Sequence, residues 1–278
     1  HRLRSSLGLE AKNAAVIMPD ADLDLTVSEC LLGTLSFNGQ RCTALKLLFV
    51  HADILEAFLD NFSRALARLP FGMPWEPEVF ITPLPEPKRP GYLRELLADA
   101  LARGARIIND QGATVNHSFF YPAILCPVAP DMRLYHEEQF GPLIPVVPFT
   151  DVEATLEGII NSDYGQQVSI FSTDDISVAL LVDSLVTQVG RVNINSQCQR
   201  GPDTFPFTGR KDSAECTLSV HDALRVFSLR TLVAAKETPV NKKVVTKIVR
   251  EHKSTFLSTD FIFPCSRFKT FAFRRTAS

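Results

Sequence analysis

AAVIMPDADLDLTVSECLLGTLSFNGQRCTALKLLFV, the stretch from Ala14 to Val50, is where the fold can be read. Residues 14–18 form a short apolar run of strand type, which Pro19 and Asp20 bring to a close. Asp20 or Asp22 then caps a helix that sets Leu23, Val27, Cys30, Leu31 and Leu35 on one face. That helix carries the chain to a turn at Asn38-Gly39, and residues 45–50 follow with the pattern of a buried strand. Strand, helix and strand in this order predict α/β topology with a parallel sheet.

Working outward, residues 53–69 carry Ile54, Phe58, Phe62 and Leu66 at helical spacing, with Asp53 as the expected cap. Seven prolines between 70 and 90 exclude a regular element there and predict a surface loop. A helix is expected over 92–103, a strand over 105–109 and a turn or tip over 111–118. Residues 121–128 and 143–149 are strand-like, but their prolines mark them as edges or irregular segments. A helix over 151–160, a strand over 167–172, an apolar helix over 176–186 and a strand over 190–195 repeat the alternating pattern. Residues 224–235 read as a further β-rich run. Beyond them, from 238 to 278, nine Lys or Arg face only Glu251 and Asp260. That segment reads either as a basic extension that binds something or as a solvated, poorly ordered tail.

Composition narrows the class. With 278 residues, 45% apolar and 22% charged, the chain can bury one large core or two smaller ones. A net charge of −2 gives no overall basic face, which argues against nucleic acid or an anionic membrane as main partner. No apolar run is long enough to span a bilayer, and the first residues lack a signal-peptide core. Cys30, Cys42, Cys126, Cys198, Cys216 and Cys265 show neither metal-ligand spacing nor a C-x-x-C pair, so no metal is expected, and reduced thiols in a cytoplasmic setting are.

Cys42 carries the chemical signal. A free thiol is only a few per cent thiolate at neutral pH, so chemistry at this sulfur needs surroundings that favour the anion, and Arg41 offers a fixed positive charge beside it. The Asn38-Gly39 turn also frees backbone N–H groups that could receive an oxyanion. Taken alone, Cys42 reads as a small buried residue after a surface turn.

The company it keeps points further. Asp20-Ala21-Asp22-Leu23-Asp24, an apolar helix and Gly39-Gln40-Arg41-Cys42 together resemble the cysteine segment of the aldehyde dehydrogenases. Glu137-Glu138-Gln139-Phe140-Gly141-Pro142, Tyr164-Gly165 and Phe205-Pro206-Phe207-Thr208-Gly209-Arg210-Lys211 follow in the order that family uses. Within it, Cys198-Gln199-Arg200-Gly201-Pro202-Asp203 with Phe205-Pro206-Phe207 is most similar to the non-phosphorylating, NADP-dependent glyceraldehyde-3-phosphate dehydrogenases.

The resemblance implies an open, mostly parallel sheet with helices on both faces, plus a C-terminal oligomerisation strand. It implies that residues 1–10 end a cofactor-binding domain, 11–207 form the catalytic domain, 208–223 return to the cofactor domain and 224–237 hold the oligomerisation strand. Residues 238–278 continue no family motif. The chain starts at His1 rather than Met and reads as a fragment, with an N-terminal half bearing most of the cofactor fold expected before it. A homo-oligomer, dimer or tetramer, is also implied.

By the same resemblance Cys42 is the nucleophile, with its own backbone N–H as half of the oxyanion site. Glu138 matches the carboxylate that holds the nicotinamide ribose of NADP or NAD, Phe140 matches the aromatic beside it, and the Leu9 carbonyl matches a contact to the nicotinamide amide. Arg41 and Arg200 match positions that bind substrate phosphate, and Phe207 matches an aromatic lining the substrate tunnel. Planar guanidinium forks suit a phosphate dianion. Either arginine could instead hold a structural carboxylate such as Asp203.

The general base departs from the family pattern, Glu-Leu-Gly-Gly-Lys. Aligning its Lys with Lys12 sets Gly8 where the Glu belongs, and Glu10 stands two residues on. In a strand, i and i+2 share a face roughly 7 Å apart, so Glu10 could enter the same pocket. It could equally pair with Lys12 or a surface Arg. The expected reaction is oxidation of a small phosphorylated aldehyde, glyceraldehyde 3-phosphate, with a catalytically silent subunit and a cofactor-free thiol esterase as rivals.

Overall fold

The computed structural model describes residues 5–219, 222, 226 and 231–258. It divides into two compact units, residues 1–227 and 228–278.

In the first unit β1 (Leu7–Gly8) precedes β2 (Ala14–Ile17), α1 (Leu23–Leu35), β3 (Leu47–His51), α2 (Leu55–Leu66) and α3 (Arg89–Ala102). Next come β4 (Arg106–Ile107), a small hairpin of β5 (Val115–Asn116) and β6 (Phe119–Phe120), β7 (Ala123–Cys126), α4 (Arg133–His136) and β8 (Leu143–Phe149). The unit continues through α5 (Val152–Ile160), β9 (Tyr164–Gly165), β10 (Gln167–Phe171), α6 (Asp175–Leu185), β11 (Arg191–Ile194), β12 (Arg210–Lys211) and β13 (Ala214–Glu215). Seven of these strands form one sheet in the order β11-β10-β2-β3-β8-β7-β4. Every pairing in it is parallel except β4 with β7.

Period-two alternation builds two cores on this sheet. Ala14 and Val16 of β2, with Leu47 and Phe49 of β3, join α3, α5 and α6 on one face. Ala15, Ile17, Leu48 and Val50 point the other way, into α1 and α2 through Val27, Cys30, Phe58, Phe62 and Leu66. Helices thus cover both faces of a mostly parallel sheet: the strand-helix-strand pattern predicts the parallel α/β topology, and the resemblance implies the two covered faces. Asp22 is the α1 cap, accepting from the Leu25 N–H at 3.0 Å. Asp20 instead clasps the start of the α6 turn, accepting from Ser172 Oγ, the Thr173 N–H and the Asp174 N–H.

Several expectations are corrected. Segments β7 and β8 are interior strands, not edges. The prolines of β8 fall where the strand has a partner on one side only: Pro145 ends the β7 ladder and Pro148 lies in the β3 ladder past it. Each missing N–H can therefore face the unpaired side. Asp53 does not cap α2, because a 3₁₀ turn intervenes and the His51 ring accepts from the Asp53 N–H. Helix α3 starts at Arg89, inside the proline-rich stretch, because Pro90 fits a first helical turn.

The strand expected over 224–235 lies partly outside the described residues. Of those described, Val226 is helical and residues 231–235 carry no regular structure. In the second unit residues 239–250, read from sequence as part of a basic extension or a solvated, poorly ordered tail, form the largely exposed helix α7 (Pro239–Arg250): Thr238 accepts from the Asn241 N–H, and valines alternate with lysines at helical spacing. Most of the remaining stretch, 259–278, lies outside the described residues. Among the described residues no helix is long and apolar enough to cross a membrane.

Candidate active site

Delivery of Cys42 depends on an unusual turn. After α1, Phe37, Asn38 and Gly39 take φ values of 56°, 57° and 71°, three left-handed residues in succession. Gly39 has no alternative, since a Cβ there would stand 2.7 Å from the Thr34 carbonyl oxygen and 2.8 Å from that of Gly141. Asn38 is held by reciprocal 3.0 Å hydrogen bonds with Thr82. Beyond the turn Cys42 is an exposed free thiol. Its carbonyl accepts from Asn13 Nδ2 at 2.8 Å and Lys46 Nζ at 2.9 Å. Among the described residues nothing accepts from the Cys42 N–H, which leaves that donor for an oxyanion.

A buried polar network backs this loop. Lys46 is 1% exposed and meets Glu138 Oε1 at 3.0 Å, and the same oxygen accepts from the Ala11 N–H. Burial lowers the Lys46 pKa, against the pull of the Glu138 carboxylate. Lys12 donates at 2.7 Å to the carbonyls of Leu134 and Glu137 and to Gln139 Oε1, so the family-matched lysine is a structural tie here. Burial, then the neighbouring Lys46, lowers its pKa as well. Of the acidic pair, Glu137 turns to Arg133 in a two-point bridge that holds its carboxyl below the usual range. Only Glu138 reaches the cleft.

That cleft, about 480 Å³, brings together Leu9, Glu10, Cys42, Glu138, Phe140 and Tyr164. Glu10 lies beyond β1 rather than in a strand, so the pleat argument does not place it; the short segment after β1 does. Its Oε2 accepts from Tyr164 OH at 2.8 Å, and neither Lys12 nor a surface Arg is its partner among the described residues. Burial and then the Glu10 carboxylate raise the Tyr164 pKa, which keeps the phenol a donor. A nicotinamide ribose fits the chemistry of this floor. Among the described residues both Glu138 side-chain contacts use Oε1, leaving Oε2 as acceptor for a hydroxyl, and the Phe140 ring lies beside it with the Arg89 guanidinium 5.8 Å from its centre.

Arg41, Arg200 and Phe207 are not among the residues that line this cleft. Arg41 donates through Nη2 to Gln197 Oε1 at 2.7 Å rather than to Asp203. The Arg200 guanidinium stands 5.3 Å from the centre of the buried Phe207 ring. Cys198 is fully buried against Ser169 and Asn193, and burial pushes its thiol up to about 11, in keeping with a packing role. Sequence reading missed Lys46 and Asn13, the two donors that fix the Cys42 carbonyl. A lone lysine inside the apolar run 44–50, and an asparagine just ahead of β2, were their only signals.

The aldehyde dehydrogenase family model matches residues 2–231. An NADP-dependent glyceraldehyde-3-phosphate dehydrogenase of Nicotiana plumbaginifolia is 34% identical over 232 residues, 83% of this chain and 46% of that protein. Its counterpart in Streptococcus equinus is 35% identical over 232 residues, 84% of this chain and 47% of that protein. The crystal structure of an NADP-dependent glyceraldehyde-3-phosphate dehydrogenase from Bacillus halodurans complexed with NADP superposes with a TM-score of 0.75 at 35% identity, covering 79% of this chain and 45% of that one. The chain thus spans less than half the length of each. With the cysteine turn, the Glu138 floor and the two-faced sheet in place, the chain belongs to the aldehyde dehydrogenase family.

Proposed function

We propose that this chain oxidises an aldehyde to its carboxylic acid through a thioester on Cys42, with glyceraldehyde 3-phosphate as substrate and NADP or NAD as acceptor. The observation that carries this reading is the single cleft shared by Cys42, Glu10, Glu138 and Phe140. Cys42 Sγ adds to the aldehyde carbon, and the oxygen gains negative charge beside the Cys42 N–H. When bound, NADP or NAD supplies the hydride acceptor that converts this adduct to the thioester. Glu138 and Phe140 hold and orient the ribose, and Leu9 offers its carbonyl to the amide. Glu10, aimed by Tyr164, takes a proton from the water that attacks the thioester carbon, releasing 3-phosphoglycerate and the Cys42 thiol. Arg41 and Arg200 bind the substrate phosphate, and Phe207 backs Arg200.

The test is to mix the 278-residue chain with glyceraldehyde 3-phosphate and NADP and follow nicotinamide absorbance. Reduction that disappears in Cys42→Ser supports the reading. Absence of both burst and turnover would favour a silent subunit, while ester hydrolysis without cofactor would favour the esterase.

A further inference from the structure

Arg41 is held in place by a residue that no motif singles out. Gln197 Oε1 accepts from Arg41 Nη2 at 2.7 Å, and the Gln197 N–H donates to Glu29 Oε2 at 2.8 Å. Glu29 and Gly33 are four apart on α1 and so share a face. Gly33 leaves room for the same glutamine, since a Cβ there would come within 3.1 Å of Gln197 Cβ. One helix face thus anchors the Gln197 backbone and accommodates its side chain. Meanwhile Arg41 Nε is buried and has no partner among the described residues.

The choice of a neutral amide matters here. A carboxylate at this contact would cancel the guanidinium charge, and an apolar side chain would leave Nη2 free to swing. An amide oxygen fixes the fork by one donor and leaves its charge uncancelled. Burial lowers the Arg41 pKa, and the Cys198 and then the Cys42 sulfur oppose that in part.

We propose that Gln197 is a positioning residue that aims Arg41 without neutralising it, and so sets the preference of the Cys42 site for anionic over neutral electrophiles. This deepens the functional reading above and rests on its assignment of Cys42 and Arg41. Its consequence for substrate is a preference for aldehydes carrying a phosphate or other anionic group.

The experiment measures alkylation of Cys42 by iodoacetate and by iodoacetamide, an anion and its neutral counterpart, by mass spectrometry of the Cys42 peptide. Relative to the parent, Gln197→Glu should lower the iodoacetate-to-iodoacetamide rate ratio by about tenfold, the effect of cancelling one nearby charge. Arg41→Leu should lower it comparably. Gln197→Leu keeps the volume and should give a smaller fall, about two- to threefold. Glu29→Gln weakens the anchor from behind and should move the ratio the same way, so the test survives if one variant fails to fold. A ratio unchanged in Gln197→Glu, or equal slowing of both reagents, overturns the proposal. Because the readout needs no turnover, an inactive parent whose ratio still falls in Gln197→Glu overturns the dehydrogenase reading alone. In an active parent, Gln197→Glu should raise KM for glyceraldehyde 3-phosphate about tenfold while kcat, and KM for glyceraldehyde, hold.

Discussion

Glu10 tests whether a carboxylate outside the usual register can serve as base. Glu10→Gln keeps size and one acceptor but cannot take a proton, so the acylation burst should persist while steady-state turnover slows by roughly 10²–10⁴-fold. Normal turnover in that variant would make Glu10 structural. Lys46 presents a different problem, because it is buried beside a carboxylate that is itself mostly buried. Lys46→Met leaves Glu138 uncompensated and should cost about 3–5 kcal/mol in urea unfolding, and a second change, Glu138→Gln, should recover part of the loss. These residues differ in how visible they are in sequence. Cys42 and Glu138 sit in motifs, whereas Asn13 and Gln197 act through contacts to residues 29 and 156 positions away, which no local spacing encodes.

At the scale of elements, the turn from α1 to Cys42 stores strain that substitution can raise or relieve. Gly39→Ala meets two carbonyl oxygens in a left-handed conformation and should lose roughly 2 kcal/mol or more, seen as a lower denaturant midpoint. Phe37 is 76% exposed and left-handed, so Phe37→Asn should gain about 0.5–1 kcal/mol. Strands β2 and β3 and helices α1, α2 and α6 are legible from periodicity because each has one apolar face or a wholly buried run. The places of β7 and β8 were not, since proline speaks to hydrogen-bond donors and not to which side of a strand is paired. Helix α7 also escaped: the basic excess of residues 238–278 as a whole dominates the reading, while the valines of α7 signal only at helical spacing.

Across the whole molecule, acid should unfold the first unit through a few carboxylates. Burial pushes the Asp20 pKa up, but hydrogen bonds from Ser172, Thr173 and Asp174 outweigh it and leave the value lowered; the Arg133 bridge lowers that of Glu137. Groups with folded pKa values below their unfolded ones bind fewer protons in the native state. Their stabilisation is complete above the ordinary carboxylate range, roughly pH 4, and is lost as pH falls through the lowered values. Urea melts across that window should show stability falling with pH, and Asp20→Asn should flatten part of the slope. The order of strands in the sheet has a further consequence, for synthesis. Strand β2 pairs with β3 soon after both emerge, but its other neighbour, β10, follows 154 residues later, as the register of Ala14 with Val168 requires. At about 5–20 residues per second a ribosome needs roughly 8–30 s to supply it. For that interval the edge of β2 stands open on the nascent chain, and Tyr164, the partner of Glu10, does not yet exist, so the thiol emerges well before the cleft that would put it to use.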